Sequence, residues 1–431
     1  MLESYLRKNL TRFFTGEPEI ALQAKIPSPE TLNRKFLHID ELGIYLHIPF
    51  CEQICPYCPY NKEIYRPDVA KRYAQAIKKE IDFYAAIIGK KPVTSFYIGG
   101  GTPTTMLHNG LEDILSHIFA TLNMQCEIHL ESHPNHLTSE NLDVIMSMGV
   151  KNLSVGVESL QDRHLRTLKR PYTVAEVNAA INRAVNKNFK CVNVDFIFAL
   201  PGQTYPEIKQ AGQTIVEMGV DQVAAYPLFR FPYTKMGSDG QNNGFKLSGI
   251  LKRRKMLHIL ENIFYQAGFD RSSVWAFTRR GIPKYCSVTV PLYIGLGASG
   301  GSYLKDIFYL NTFNATEYIN ALENGKMATA LSLALSEKMQ MAGWLYWRIY
   351  ETRFEKNDFN KRFGKDFDTV YGKYMRLLAR PGFLIDDGKQ IILTDKGTYW
   401  LHAFEDFFSI NYISTLWGTS KQEPWPEKVV L

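Results

Sequence analysis

Residues 43–62 read G-I-Y-L-H-I-P-F-C-E-Q-I-C-P-Y-C-P-Y-N-K. The apolar run 44–48 predicts a strand, and a loop follows that carries Cys51, Cys55 and Cys58 in the spacing C-x3-C-x2-C. Three thiolates on one short loop suit three corners of a cubic iron–sulfur cluster, because soft sulfur ligands favour such centres. The loop has no fourth cysteine, so one iron would stay open to a ligand that is not protein. Two other readings of the triplet exist. One is a zinc knuckle with His47 as a fourth ligand, although zinc sites more often pair C-x2-C motifs. The other is a set of unrelated thiols.

Around this loop the chain has 431 residues, 45% of them hydrophobic, enough for more than one domain. The net charge is +7 and the charges are dispersed. That balance admits an acidic ligand, while the lack of a basic stripe argues against nucleic acid. Cys126, Cys191 and Cys286 are scattered and read as small buried hydrophobes rather than a disulfide framework. The N-terminus M-L-E-S-Y-L-R-K-N-L lacks an apolar signal region, and no stretch is apolar enough to span a bilayer. The expectation is a soluble cytoplasmic protein with no membrane partner.

Outward from the loop, the pattern alternates. Strands are predicted at 44–48, 94–99, 127–131, 152–157, 192–200 and 222–228, and helices at 72–88, 111–122, 142–148, 174–185 and 205–218. Repeated βα units imply a parallel sheet with helices outside, and six units suit an incomplete (βα)6 barrel. The expected fold class is therefore α/β, with a C-terminal α+β part. The expected organisation is an N-terminal lead-in (1–42), the partial barrel (43–228), an extension completing the site (229–330) and a helical, winged-helix-like cap (331–431). In the extension, 231–245 reads as a Pro/Gly/Asn-rich loop, and helices are predicted at 251–266 and 317–325. In the cap, helices at 338–354 and 367–378 precede a strand pair at 383–385 and 391–393, and a terminal helix follows Thr394. Such a cap can bind DNA, but without a basic recognition face a lid over the substrate fits better.

In βα barrels the reactive groups sit at the C-terminal ends of strands. The cysteine loop follows the first strand, Gly99-Gly100-Gly101-Thr102-Pro103 the second, Glu131-Ser132 the third and Glu158-Ser159 the fourth, while Asp195 lies in the fifth. The glycines predict close approach of backbone to a ligand, with exposed N–H and C=O groups. Glu131, Glu158 and Asp195 suit ribose hydroxyls or an ammonium, and Arg170 suits a carboxylate. Ordinary ion pairing is the alternative for each. Tyr57 and Tyr60 would flank the cluster or the substrate. Gly295-x-Gly297-x-x-Gly300 formally matches a dinucleotide fingerprint but lacks the βα unit and ribose-binding acid, so it reads as a close-packing turn near the site.

The set Y-x-H-x-P-F-C-x3-C-x2-C, G-G-G-T-P-T, E-S-x-P, S-V-G-V-E-S, N-x-D-x-I-x-A-L-P-G-Q-T and G-L-G-A-S-G resembles the oxygen-independent coproporphyrinogen III oxidase-like branch of the radical S-adenosylmethionine (SAM) superfamily, from about Tyr45 to Gly325. The resemblance implies a 4Fe-4S cluster on Cys51, Cys55 and Cys58, with one or two molecules of S-adenosyl-L-methionine. It implies SAM contacts at Tyr45, Gly100, Gly101, Thr102, Glu131, Glu158, Arg170, Asp195 and Ile197, the last packing on adenine. It further implies reductive cleavage of SAM to a 5′-deoxyadenosyl radical under anaerobic conditions, with an electron donor such as flavodoxin or ferredoxin. The substrate would be an organic molecule: a tetrapyrrole, or a methylation or cyclopropanation target. A haem-binding or haem-trafficking protein on the same scaffold is the alternative. The chain has Glu158 where the branch has glutamine, and Ala199 where it has glycine. Tyr60 stands where the decarboxylating oxidase has a further cysteine, and P-K-Y-C-S-V-T-V (283–290) where haem-chaperone members carry H-N-x-x-Y-W.

Overall fold

Six strands, β1 (Leu42–Ile48), β2 (Pro92–Gly100), β3 (Ile128–Ser132), β4 (Val150–Glu158), β5 (Cys191–Phe198) and β6 (Gln222–Pro227), lie side by side in chain order, each parallel to the next. The structure is a computed structural model describing residues 2–242, 247–284 and 292–431. Cys286 and most of the 283–290 segment lie outside the described residues, as do 243–246. The strands are β-branched and buried on both faces, as a helix-covered parallel sheet requires. The covering helices are Pro67–Ile88, Glu112–Thr121, Ser139–Ser147, Val174–Val185 and Tyr205–Glu217. Tyr73, Ile77, Ile81 and Tyr84 form the predicted apolar stripe of the first helix and are fully buried. Full burial of an aliphatic side chain of this size is worth about 1.5–3 kcal/mol.

Capping boxes fix two helix starts, Thr173 with Glu176 and Thr204 with Glu207. They anchor the loops after β4 and β5, which are the loops that carry Arg170 and Pro201-Gly202.

The six strands do not close into a barrel. The strand Tyr293–Leu296 adds parallel to β1, and Ala276–Arg279 adds antiparallel to β6. Beyond Tyr293–Leu296 the sheet continues antiparallel through Gly301–Tyr303, Ile307–Asn311 and Thr329–Ala334, then Ala21–Gln23 and finally Lys428–Val430. The two ends of the chain therefore meet on one sheet edge. The lead-in is mostly helical, at Leu2–Thr15 and Pro29–Phe36.

Gly295-x-Gly297-x-x-Gly300 is indeed a packing turn. Gly297 has φ +91°, and a Cβ there would lie 2.5 Å from the His47 carbonyl oxygen. Its N–H donates to buried Glu80, which also accepts from Asn311 Nδ2 and the Tyr318 hydroxyl. Tyr73 donates to the His47 carbonyl and accepts from the Ala298 N–H. The turn thus braces the end of β1 where the cysteine loop begins.

Two sequence expectations change. The 231–245 segment contains a helix, Lys235–Asn242, entered through Thr234, whose hydroxyl accepts from the Gly237 N–H at 3.1 Å. The helix predicted over 338–354 ends at Tyr350. Thr352 then takes φ +66°, and Arg353–Glu355, alternating exposed and buried, becomes a strand beside Gln390–Leu393. A further helix, Lys356–Phe363, follows and stops at Gly364 in the left-handed region. The order helix, strand, helix, helix, strand, strand is that of a winged helix. Its own core gathers Trp344, Phe354, Phe359, Phe367 and Ile391. The last helix, Asp395–Gln422, runs back to the barrel.

Candidate functional site

A cavity of about 510 Å³ opens at the C-terminal ends of the strands. Cys51, Cys55 and Cys58 line it together with Gly100, Gly101, Thr102, Glu131, Glu158, Arg170, Asp195 and Ile197. Eleven of the twelve residues singled out from sequence are thereby brought together. The twelfth, Tyr45, lines an adjoining cavity instead. Its hydroxyl contacts His47 Nδ1 at 2.9 Å and its ring lies beside Tyr97. Tyr45 pairs in register with Tyr97, whose hydroxyl donates to Glu131, so it lies on the carboxylate-bearing face of the sheet.

The cysteine loop is held from several sides. Its carbonyls take Lys62 Nζ (on Cys58, 2.5 Å), Tyr233 (on Pro59, 3.1 Å) and Lys421 Nζ of the last helix (on Pro59, 3.1 Å, and Tyr60, 3.2 Å). The sulfurs take donors as well, Thr102 Oγ1 on Cys51 at 3.5 Å and Arg170 Nη1 on Cys55 at 3.2 Å. Burial pushes the Cys51 thiol up to about 12 and the Cys58 thiol upward too. The described cysteines are all free thiols. Donors aimed at two sulfurs, with a guanidinium at one, fit thiolates that carry negative charge as iron ligands.

The zinc reading needs His47, and the structure removes it. The His47 ring is buried, with Nε2 on the Asn61 carbonyl (2.9 Å) and Nδ1 on the Tyr45 hydroxyl. Burial lowers its pKa to about 4, so it stays neutral with both nitrogens engaged. Among the described residues no three His, Cys, Asp or Glu side chains gather around one metal-ion position.

The triple glycine works differently from the sequence expectation. Its N–H groups are not presented to the cavity: Gly100 donates to Glu131 Oε2 (3.1 Å), and Gly101 to the Ile48 carbonyl (2.8 Å). Thr102 N–H donates to the Phe50 carbonyl at 2.8 Å. A Cβ on Gly101 would sit 2.8 Å from the Phe50 oxygen and from Pro49. The glycines let β2 press against the start of the cysteine loop.

Three of the carboxylates lining the cavity come from the parallel strands. Glu131 accepts from Tyr97 (2.7 Å) and Gly100. Asp195 accepts from Ser154 Oγ (2.9 Å) and Asn193 Nδ2 (3.0 Å). Glu158 accepts from Tyr226 (3.3 Å) and sits at φ +65°, where a bulge between β4 and β5 turns the chain. Burial raises all three, Asp195 to about 8, with Glu158 and Glu131 adding to its rise by repulsion. Arg170 is fixed by the Gly156 carbonyl (2.9 Å) and the Tyr172 hydroxyl (2.6 Å). Ile197 is packed against Leu168, Leu200 and Leu228 with 1% of its surface exposed.

The extension and the cap form the opposite wall, as expected of a site-completing segment and a lid, but the residues they bring were not singled out from sequence. Trp275, from the extension, donates its indole N–H to His402 Nε2 at 3.1 Å. Tyr346, Trp347, Tyr350, His402, Asp406 and Ile413 come from the first and last helices of the C-terminal part. His402, Asp406, Ile410 and Ile413 form one helical stripe, visible in sequence only once the partner surface is known. Burial holds His402 near 4 and lifts Asp406 to about 7.

Comparison with known proteins agrees with this arrangement. Residues 45–215 match the radical SAM superfamily. The chain is 27% identical to a protein named heme chaperone HemW from Lactococcus lactis, over 82% of this chain and 93% of that one. It is 22% identical to an oxygen-independent coproporphyrinogen III oxidase from Pseudomonas aeruginosa, over 83% of each. Its fold matches coproporphyrinogen III oxidase (HemN) from Escherichia coli with a TM-score of 0.77, at 20% identity, covering 92% of this chain and 95% of that one. No helix among the described residues is long and apolar enough to cross a membrane. The family implies a 4Fe-4S cluster and SAM, and the thiol set and acidic cavity fit both. The chain carries a radical SAM domain at residues 45–215.

Proposed function

We propose that this chain is a radical SAM enzyme in which Cys51, Cys55 and Cys58 hold the cluster and SAM lies in the adjacent cavity. The observation that carries the reading is the meeting of the three thiols with Glu131, Glu158, Asp195 and Arg170 in one cavity. When bound, the cluster supplies the electron that splits the sulfonium bond of SAM and so starts hydrogen abstraction from an organic substrate. Burial raises the pKa of all three carboxyls, so a ligand bringing an ammonium and a sulfonium would supply the positive charge that favours their ionised form. Arg170 keeps one guanidinium edge on Cys55 and Gly156, and its charge favours a carboxylate bound nearby. Ser154 and Asn193 orient Asp195 for ribose hydroxyls. The helices Glu337–Tyr350 and Asp395–Gln422 wall the cavity opposite the cysteines, which excludes water from the reacting centre.

The substrate class in this proposal is a tetrapyrrole or similar carboxylated ring system, in line with the Pseudomonas oxidase, or else a methylation or cyclopropanation target. Flavodoxin or ferredoxin is the proposed electron donor. A haem-carrying role is the second reading, favoured by the HemW relatives, whose alignment spans nearly their whole length. Anaerobically reconstituted protein with dithionite should convert SAM to 5′-deoxyadenosine, and Cys55→Ala should abolish this. Stoichiometric haem binding without any SAM cleavage would replace the enzyme reading with the carrier.

A further inference from the structure

The cavity at the strand ends has two walls of different chemistry. On the cysteine side, Lys62 and Arg170 stand among the carboxylates. On the cap side the lining is largely aromatic. Rings follow one another there in an arc: Phe229 to Trp275 at 6.1 Å between centroids, Trp275 to His402 at 5.2 Å, His402 to Tyr350 at 5.5 Å, Tyr350 to Trp347 at 6.1 Å and Trp347 to Tyr346 at 5.1 Å. All six rings line the cavity, and so does Asp406. The volume of about 510 Å³ lies within the ~300–1,000 Å³ range of small-molecule sites.

The charge on this wall is not balanced from within. The Trp275 indole N–H can only donate, so the His402 Nε2 that receives it carries no proton. The ring proton then sits on Nδ1, which faces Glu405 at 3.2 Å. His402 is therefore neutral and offers no positive charge to Asp406, whose Oδ1 lies 3.3 Å from the same Nε2. Burial, which holds His402 near 4, points the same way. Arg253, on the helix Ile250–Gln266, is close enough to lower the Asp406 pKa but makes no ion pair with it among the described residues. The Asp406 side chain keeps 21% of its surface open. Elsewhere the chain covers aromatic faces with its own cations, as with Arg254 over Tyr399 and Lys255 over Tyr205. Trp275, Tyr346 and Trp347 carry none among the described residues, and Trp347 is part exposed. Ring faces of negative potential and a carboxylate without a Lys or Arg partner attract the same thing, a positive charge with an apolar coat.

We infer that the cap side of this cavity is a subsite for a small organic cation, an alkylated ammonium held by the aromatic arc and Asp406. Its assignment to the substrate rests on the radical SAM reading, because this wall stands opposite the cysteines, and it narrows the proposed substrates to those that carry such a group. The ligand chemistry rests on the lining alone.

The test is calorimetric titration of choline into the full, anaerobically reconstituted chain, set against 3,3-dimethyl-1-butanol, in which carbon replaces the ammonium nitrogen. Burial lifts Asp406 to about 7, so the titration is run at about pH 8, where the carboxylate is charged. Expected is saturable choline binding that is at least about ten-fold tighter than that of the neutral alcohol. Asp406→Asn keeps the shape and should weaken choline by about ten-fold or more. Trp347→Leu, at a part-exposed position, should weaken it by about three-fold or more. Equal affinity for the two compounds, no saturable choline binding, or binding that either variant leaves unchanged overturns the proposal. Displacement of choline by SAM also overturns it, since the arc would then belong to the SAM site; binding of both together is the expected result. Dithionite-driven conversion of SAM to 5′-deoxyadenosine is measured on the same preparation. Choline binding as expected without conversion removes the radical reading and keeps the subsite. Conversion without choline binding does the reverse.

Discussion

Replacing Gly101 with alanine tests how β2 supports the cysteine loop. The new Cβ would lie 2.8 Å from the Phe50 oxygen and from the Pro49 carbonyl carbon and oxygen, about 0.6 Å inside ordinary contact. All three atoms are backbone. The Phe50 carbonyl is also tied to the Thr102 N–H, and the Ile48 carbonyl to the Gly101 N–H, so neither strand can retreat alone. Overpacking of this kind costs about 1–3 kcal/mol. The Pro49–Phe50 peptide leads directly into Cys51, so the displacement should pass to the first cluster ligand. Gly219→Ala is the control. Gly219 has φ +75° and nothing within 4 Å of a built Cβ, so it incurs only backbone strain of about 1–2 kcal/mol, far from the loop. Guanidinium unfolding midpoints and iron content after anaerobic reconstitution measure both. Gly101→Ala should lose stability and also retain less iron, while Gly219→Ala loses stability alone. A Gly101→Ala protein with the full iron complement would refute the idea that the glycines position the loop.

Two further outcomes follow from the same geometry. Lys421→Met removes charge-assisted bonds of about 1.5–3 kcal/mol from the Pro59 and Tyr60 carbonyls; the reconstituted cluster should then be lost faster to a chelator, and an unchanged loss rate would show that the last helix does not clamp the loop. Burial lifts Glu80 from 4.5 to about 7, so its contribution is fully present below pH 4.5 and is lost as pH rises through about 7, a difference of about 3 kcal/mol. Thermal unfolding of the wild type should therefore weaken between pH 4.5 and 7 more steeply than that of Glu80→Gln, and parallel pH profiles would contradict the assignment.

The six parallel strands and their helices were legible because each carries its own periodic pattern with a capping or glycine signal beside it, as at Thr173, Thr204 and Gly268. The site residues were legible because a parallel sheet delivers strand ends to one place. What escaped depends on contacts distant in sequence. The antiparallel strands from Gly301 to Ala334 are short and separated by turns, so no long alternation marks them. Phe354 reads as helix by composition and becomes strand only because Ile391 lies opposite. The glycine N–H groups were expected to face a ligand, but the neighbouring strand and Glu131 take them. His402 and Asp406 enter the cavity wall from a helix more than 200 residues away from Asp195.

The central claim is that three thiolates leave one iron open for SAM. Electron paramagnetic resonance of the dithionite-reduced, anaerobically reconstituted protein, recorded with and without SAM, tests this most directly. The account predicts a reduced-cluster signal whose g-values shift on adding SAM. A signal that SAM leaves unaltered, or a protein that takes up zinc and shows no cluster signal, would contradict it.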